Sequence, residues 1–220
     1  MRIGIIGTGH MADALGGQWA AAGHDVLVGG RDRGRADALA RRIGHGARAG
    51  GVGDAARHGE VVLLAVPYAG VGDALRRAGA ASGALAGRVL VDCVNPIGPG
   101  FTVAGGARSA AEEAAQAAPG AHVVKAFNLC PDGVWRMRPP VGGDRPLGVP
   151  LCGDDAGALA AVRRLVTDIG CVPMDAGPLA RAGVLEATAA FVIGMVATGM
   201  DPTAALPPLA LAGTPVPQGE

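Results

Sequence analysis

At 220 residues, half of them hydrophobic, the chain is long enough to bury one full core with a small appendage, and two full domains would be unusual. Nineteen basic against nineteen acidic residues leave no net field to draw nucleic acid or an anionic membrane, so a small-molecule partner is expected. Aromatics make up 3%, which predicts a core of Val, Leu, Ile and Ala. The four cysteines show neither a CxxC nor a Cys/His ligand spacing, so they read as reduced and structural, and no metal site is predicted.

Strand-length apolar runs alternate with Ala-rich stretches of helical period, the order expected of right-handed βαβ units. The opening MRIGIIGTGH is too short for a secretory h-region, and a cytoplasmic protein is expected. Ile3 to Ile6 reads as the first strand, and a helix follows from Met11 to Ala22, where Gly23 stops it. Asp25 to Gly29 is a second strand, ADALARRI a second helix, and Ala47 to Ala49 a weak third strand. EVVLLAVP and RVLVDCVNP, closed by Pro67 and Pro96, read as fully buried fourth and fifth strands. After the Gly-rich IGPGFTVAGG comes a helix in SAAEEAAQAA, with Ser109 as its cap and acids in its first turns.

HVVKAFN then reads as the sixth strand, and PDGVWRMRPPVGGDRPLG as an ordered surface loop. VPLC and CVPMDA bracket a helix with Leu159, Val162, Leu165, Val166 and Ile169 on one face. Ala182 to Met200 is apolar enough to suggest a membrane span, but it is short and carries Glu186, so a buried helix is the better reading. The Pro-rich remainder is expected to be partly disordered. The fold class is thus α/β, a Rossmann-type doubly wound parallel sheet over 1–178, with a small C-terminal helical extension at 179–203 and a tail at 204–220.

GTGHMA places Gly7, Gly9 and Ala12 as G-x-G-x-x-A between a strand and a helix. Gly7 permits the tight turn, Gly9 lets backbone approach a pyrophosphate, and Ala12 lets the helix lie close. The helix N-terminus offers free N–H groups to the anion. About twenty residues later, where NAD-binding units place an acid on the ribose, this chain has Gly29 and Gly30 followed by Arg31, Asp32, Arg33, Gly34 and Arg35. Guanidinium groups at that place suit a 2′-phosphate, which predicts NADP(H). Asp32 keeps NADH open as an alternative, and Arg33 fits a solvated loop.

Val66, Pro67 and Tyr68 end the fourth strand at the carboxyl edge of the sheet, where such folds bind ligand, and Asn95 ends the fifth. Asn128 ends the sixth, where its amide could bond a nicotinamide carboxamide or an acceptor oxygen. Asn128 and Tyr68 are the candidates for the catalytic end, the tyrosine as a proton donor if one is needed. Lys125, the only lysine, is placed by strand alternation on the face opposite Asn128, with a surface or ion-pair role. Cys130 reads as a pocket wall, and His24, His45 and His58 as solvent-facing loop residues.

The sequence resembles the F420-dependent NADP oxidoreductases and their bacterial relatives over nearly its whole length. The stretch MRIGIIGTGHMADALGGQWAAAGHDVLVGGRD looks like their first βαβ unit, while VPLCGDD and MDAGPLARAGVLEA are similar to their late strand, turn and C-terminal helix. The resemblance implies that Thr8, His10 and Met11 line the pyrophosphate turn and that Arg31 and Arg35 take the 2′-phosphate. It also implies hydride transfer between NADP(H) and coenzyme F420. KAFN looks like the bacterial branch and the NADPH domain of membrane ferric reductases; Asn128 and Leu129 stand where the archaeal enzymes carry His-Thr. The acceptor thus stays open among F420, a flavin, an imine and a carbonyl compound, and a non-catalytic NADP-binding sensor remains an alternative.

The expected site therefore comprises Gly7, Thr8, Gly9, His10, Met11, Ala12, Gly30, Arg31, Arg35, Val66, Pro67, Asn95 and Asn128 for the cofactor. The apolar C-terminal helix needs a cover, and a homodimer is expected to supply it. In such a dimer Met195 and Met200 could line the acceptor pocket.

Overall fold

The computed structural model describes residues 1–104, 106–142 and 145–205. Within them the chain runs β1 (Arg2–Ile6), α1 (His10–Ala21), β2 (Asp25–Gly29), α2 (Arg33–Ile43), β3 (Arg48–Gly50), α3 (Val52–His58), β4 (Val61–Leu64), α4 (Val71–Ala78), β5 (Val89–Asp92), α5 (Ala110–Ala117) and β6 (His122–Lys125). There follow α6 (Asp132–Trp135), the antiparallel pair β7 (Val141–Gly142) and β8 (Arg145–Pro146), β9 (Gly148–Gly153), α7 (Ala156–Asp168), β10 (Val172–Asp175) and α8 (Ala182–Ala197). The main sheet has the order β10-β9-β6-β5-β4-β1-β2-β3. Chain order reverses between β1 and β4, and that switch point opens a crevice at the carboxyl ends of the strands.

The strands from β1 to β6 pair in parallel, and all but the short edge strand β3 are largely buried, as helices on both faces require. The sheet is not parallel throughout, however: β9 runs antiparallel to β6, with Val124 opposite Gly153. A parallel return needs a long crossover, usually a helix. Between β6 and β9 the only described helix is the four-residue α6, so the chain turns back instead. β10 then lies parallel to β9 after the longer α7.

Other expectations shift at the ends of elements. β6 stops at Lys125 because Phe127 takes φ +61°, a left-handed conformation that ends the pleat. An aromatic stack holds Phe127 there, with Trp19 at 5.6 Å and Trp135 at 5.4 Å, both edge-on. Trp135 is buried, so the predicted surface loop is partly a plug in the core. The helices α3 and α4 had no assignment in the sequence reading, their short Gly-containing segments carrying little periodicity. Ser109 caps α5 as predicted, in a reciprocal box with Glu112.

Two histidines expected in solvent are not there. His24 is buried, with Nδ1 3.1 Å from the Met1 amine and Nε2 3.0 Å from Asp168, and the largely covered His58 ring bonds the Asp25 carbonyl. His24 lies between α1 and β2, and His58 is the last residue of α3, so neither stands in an open loop. His45 is exposed, as read. The α8 helix departs from its reading as buried: Ala182, Leu185, Glu186, Ala189 and Ala190 are covered, while Val184, Phe191, Ile193 and Val196 face outward. By length and composition Leu179–Ala197 could cross a bilayer, but its covered half packs on α5. The partly disordered tail was expected from 204, but Pro202–Ala205 forms a short 3-10 helix; the rest of the tail, 206–220, lies outside the described residues.

Candidate active site

The turn after β1 is built by backbone conformation. Gly7 sits at φ +132°, and a Cβ there would lie 2.1 Å from the Ala65 carbonyl oxygen, so only glycine fits. Gly9 is the N-cap of α1 with no side-chain cap, and a Cβ on it would meet nothing within 4 Å. The first N–H groups of α1 are thus left to a ligand at an open approach, the arrangement that binds phosphate at helix N-termini. Ala12 is fully buried beneath the turn, where a larger side chain would push the helix off the sheet.

A cleft of about 480 Å³ opens from this turn. Gly7, Thr8 and Gly9 line it from the turn, Gly30 and Arg31 from the end of β2, Arg35 from the first turn of α2, and Val66 and Pro67 from the end of β4. The carboxylate of Asp32 is not offered to the cleft: it caps α2 by accepting the Arg35 backbone N–H at 3.1 Å. Arg33 pairs with Asp37 along the same helix. Arg31 is three-quarters exposed and reaches Asp73 only at 3.9 Å, while Asp73 is held closely by Arg76 and Arg77. Hydrogen bonding from Arg77 and the nearby guanidinium charges keep the Asp73 carboxyl below its ordinary range. Cation therefore exceeds anion at the end of the cleft where a ribose would lie.

A second cavity, of about 270 Å³, shares Gly9, Val66 and Pro67 with the first and adds His10, Met11, Tyr68, Cys93, Val94 and Asn95. The two adjoin across the switch point, with Gly9, Ala65, Val66 and Pro67 common to their walls, and together make up the crevice. Tyr68 donates its hydroxyl proton to Glu113 at 2.9 Å, and this bond, with burial, raises the phenol above its usual value. Cys93 is inert as a nucleophile: burial pushes its thiol up to about 12. Burial also raises Cys130. His10 is exposed, 3.6 Å from Asp132.

Of the predicted residues, Asn128 is the one polar group set behind the crevice. Its Nδ2 donates to Asn95 Oδ1 at 2.9 Å and to the Leu185 carbonyl at 3.2 Å, and Asn95 Nδ2 donates back to the Asn128 carbonyl at 2.7 Å. Asn95 faces the cavity, and Asn128 holds it. Lys125 takes the ion-pair role of the two expected for it, but inside the core rather than on the surface. Fully buried, it bonds Asp92 at 2.9 Å, Glu186 at 2.7 Å and the Val94 carbonyl. Burial pushes the ammonium pKa down, but attraction to Asp92 and Glu186 outweighs it and the net shift is upward. Alternation failed here because the strand ends before Asn128.

Sequence reasoning missed Asp92, Glu113 and Glu186. A signal existed for two of them, since each is the lone charge in an apolar run, as Lys125 is in its own. Buried charges come paired, and three such residues in one core imply each other.

Fold and crevice together define a dinucleotide-binding α/β protein of Rossmann type. The family model described as "NADP oxidoreductase coenzyme F420-dependent" matches residues 2–96, the whole glycine turn and the strands through Asn95, and over that stretch the chain is similar to the family. A hypothetical protein of Sinorhizobium meliloti is 30% identical, with a TM-score of 0.73 over 83% of this chain and 88% of that one. A candidate F420-dependent NADP-reductase of Arthrobacter sp. FB24 is 26% identical, with a TM-score of 0.77 over 91% and 96%. The metalloreductase STEAP3 of Rattus norvegicus is 31% identical over 187 residues, 84% of this chain but only 36% of the relative's length. An imine reductase of Myxococcus stipitatus in complex with NADP+, at 18% identity and a TM-score of 0.65, shares the fold over 90% of this chain and 63% of its own.

Proposed function

We propose that this protein binds NADP(H) along the crevice and transfers hydride between it and a small-molecule acceptor, with coenzyme F420 as the acceptor of first choice. The observation that carries the cofactor assignment is the pairing of a bare α1 N-terminus at Gly9 with Arg31 and Arg35 in one cleft, while Asp32 is spent on capping α2. The α1 amides would take the pyrophosphate, and the two arginines the 2′-phosphate. The smaller cavity beside Tyr68 and Asn95 would take the nicotinamide end.

Bound NADPH supplies the hydride; the protein supplies position. Asn95 presents an amide braced from behind by Asn128, and Val66 and Pro67 close the wall between the two cavities. Holding two flat rings at contact distance needs little acid–base machinery. Every such acceptor takes up a proton with the hydride; a reduced deazaflavin delocalises its charge over the ring and can take the proton from solvent, whereas an imine or carbonyl needs a donor at the reacting atom. The Tyr68 proton is directed at Glu113, away from that task, which favours the deazaflavin.

The outward face of α8 continues into Phe101 and Val103, also exposed, and a second copy of the chain is the proposed cover. Following NADPH absorbance with F420, FMN and a panel of imines and ketones tests the assignment. F420 turnover is expected. Turnover of imines or ketones alone would replace the acceptor, and tight NADPH binding with no turnover of any would make the protein a sensor.

A further inference from the structure

Lys125 lies outside both cavities, yet every bond it makes fixes something that lines or braces the inner one. Its ammonium bonds the Val94 carbonyl, and Val94 lines the cavity. Asp92, its first carboxylate partner, accepts the Val94 backbone N–H through Oδ1 at 2.9 Å. Both ends of the residue before Asn95 are therefore held by one ion pair. Glu186, its second partner, accepts the N–H groups of Ala110 and Ala111 at the start of α5 at 3.0 and 3.4 Å, and α5 carries Glu113, the partner of Tyr68. The residue before Glu186 is Leu185, whose carbonyl takes one proton of the Asn128 amide. Three routes, through β5, α5 and α8, lead from the buried triad to Asn95 and Tyr68.

We infer that the Asp92–Lys125–Glu186 triad is a positioning device that sets the nicotinamide-side wall of the crevice, Lys125 acting through Val94 and Asn95 rather than by touching the cofactor. The inference rests on the proposed NADP(H) site. The triad's remaining bonds all go to backbone, two at Val94 in the cavity wall and two at the start of α5, the helix that carries the partner of Tyr68. Buried ion pairs are themselves weak stabilisers, and apolar replacements of similar volume are often tolerated. The adenosine end, formed by Arg31, Arg35 and Gly30, makes no contact with the triad among the described residues.

That separation supplies the test. NADPH and 2′,5′-ADP, which lacks the nicotinamide half, are titrated against the full chain and two variants: Glu186→Gln, which keeps the shape, and the neutral triple Asp92→Asn/Lys125→Met/Glu186→Gln. The triple variant is expected to bind 2′,5′-ADP within about twofold of the parent and NADPH at least about tenfold more weakly, with Glu186→Gln between the two. Equal loss of both nucleotides, unfolding included, makes the triad a plain structural element and overturns the inference. Unchanged NADPH binding in the triple variant overturns it as well. If the parent chain binds neither nucleotide, the functional proposal itself falls and the inference with it.

Discussion

The carboxylate of Asp32 accepts the backbone N–H of Arg35 at 3.1 Å, so the acid that could have held a ribose hydroxyl instead holds the start of α2. One bond thereby removes an anion from the adenosine end of the cleft and fixes the helix turn that carries Arg35. Asp73 also lines the cleft but is held by Arg76 and Arg77, which leaves Arg31 and Arg35 as the cations with charge to offer there.

Nucleotide choice follows. Arg31→Ala and Arg35→Ala are each expected to weaken NADPH by about 10- to 100-fold, since a charge-assisted hydrogen bond contributes ~1.5–3 kcal/mol. NADH, which lacks the phosphate, should change little. Isothermal titration with both nucleotides checks this, and equal losses for the two would remove the arginines from phosphate binding. Asp32→Ala should cost about 1 kcal/mol of stability through the lost cap.

The two glycines of the turn should fail differently. Gly7→Ala forces a Cβ to 2.1 Å from the Ala65 carbonyl at φ +132°, and should lower the melting temperature by several degrees or prevent folding. Gly9→Ala meets nothing within 4 Å and should fold normally while losing about tenfold or more in nucleotide affinity, because its methyl group stands at the phosphate approach. Thermal melts paired with NADPH titrations separate the two. A normal affinity for Gly9→Ala would move the pyrophosphate elsewhere.

Stability should fall on mild acidification through His24. Burial first, and then the nearby Met1 amine, hold its imidazole below the ordinary 6.5 in the folded protein, although Asp168 opposes the shift. The unfolded chain therefore binds more protons in slightly acid solution, and stability rises with pH across that window. Melting temperatures between pH 7.5 and 5.5 should decline, with a shallower slope in His24→Gln; an identical slope in the variant would assign the dependence to other groups.

The exposed half of α8 should determine assembly. Light scattering is expected to give twice the 21.6 kDa of one chain, and Phe191→Asp or Val196→Asp, each placing a charge on that face, should give the monomer. A parent mass of one chain at micromolar concentration would count against the dimer.

The glycine turn was legible in the sequence because its requirements are local: positive φ at Gly7, open backbone at Gly9 and a small residue at Ala12 are properties of single positions. The buried strands and the Ser109 cap were legible for the same reason. The antiparallel β9 was not, since strand direction depends on whether the intervening segment folds into a helix long enough to carry the chain back across the sheet.

Lys125 marks the boundary most clearly. Alternation along HVVKAFN is a rule about a continuous strand, and the sequence alone offered no sign that Phe127 would leave the pleat to stack between Trp19 and Trp135. By itself the sequence determined a glycine turn between β1 and α1, an arginine-rich segment after β2 and three lone charges in apolar runs. Only the tertiary structure decided that Asp92, Lys125 and Glu186, from β5, β6 and α8, meet beneath the crevice, one ammonium between two carboxylates with the α5 N–H groups on Glu186, because a buried charge is stable only where the fold brings its partners within hydrogen-bonding distance.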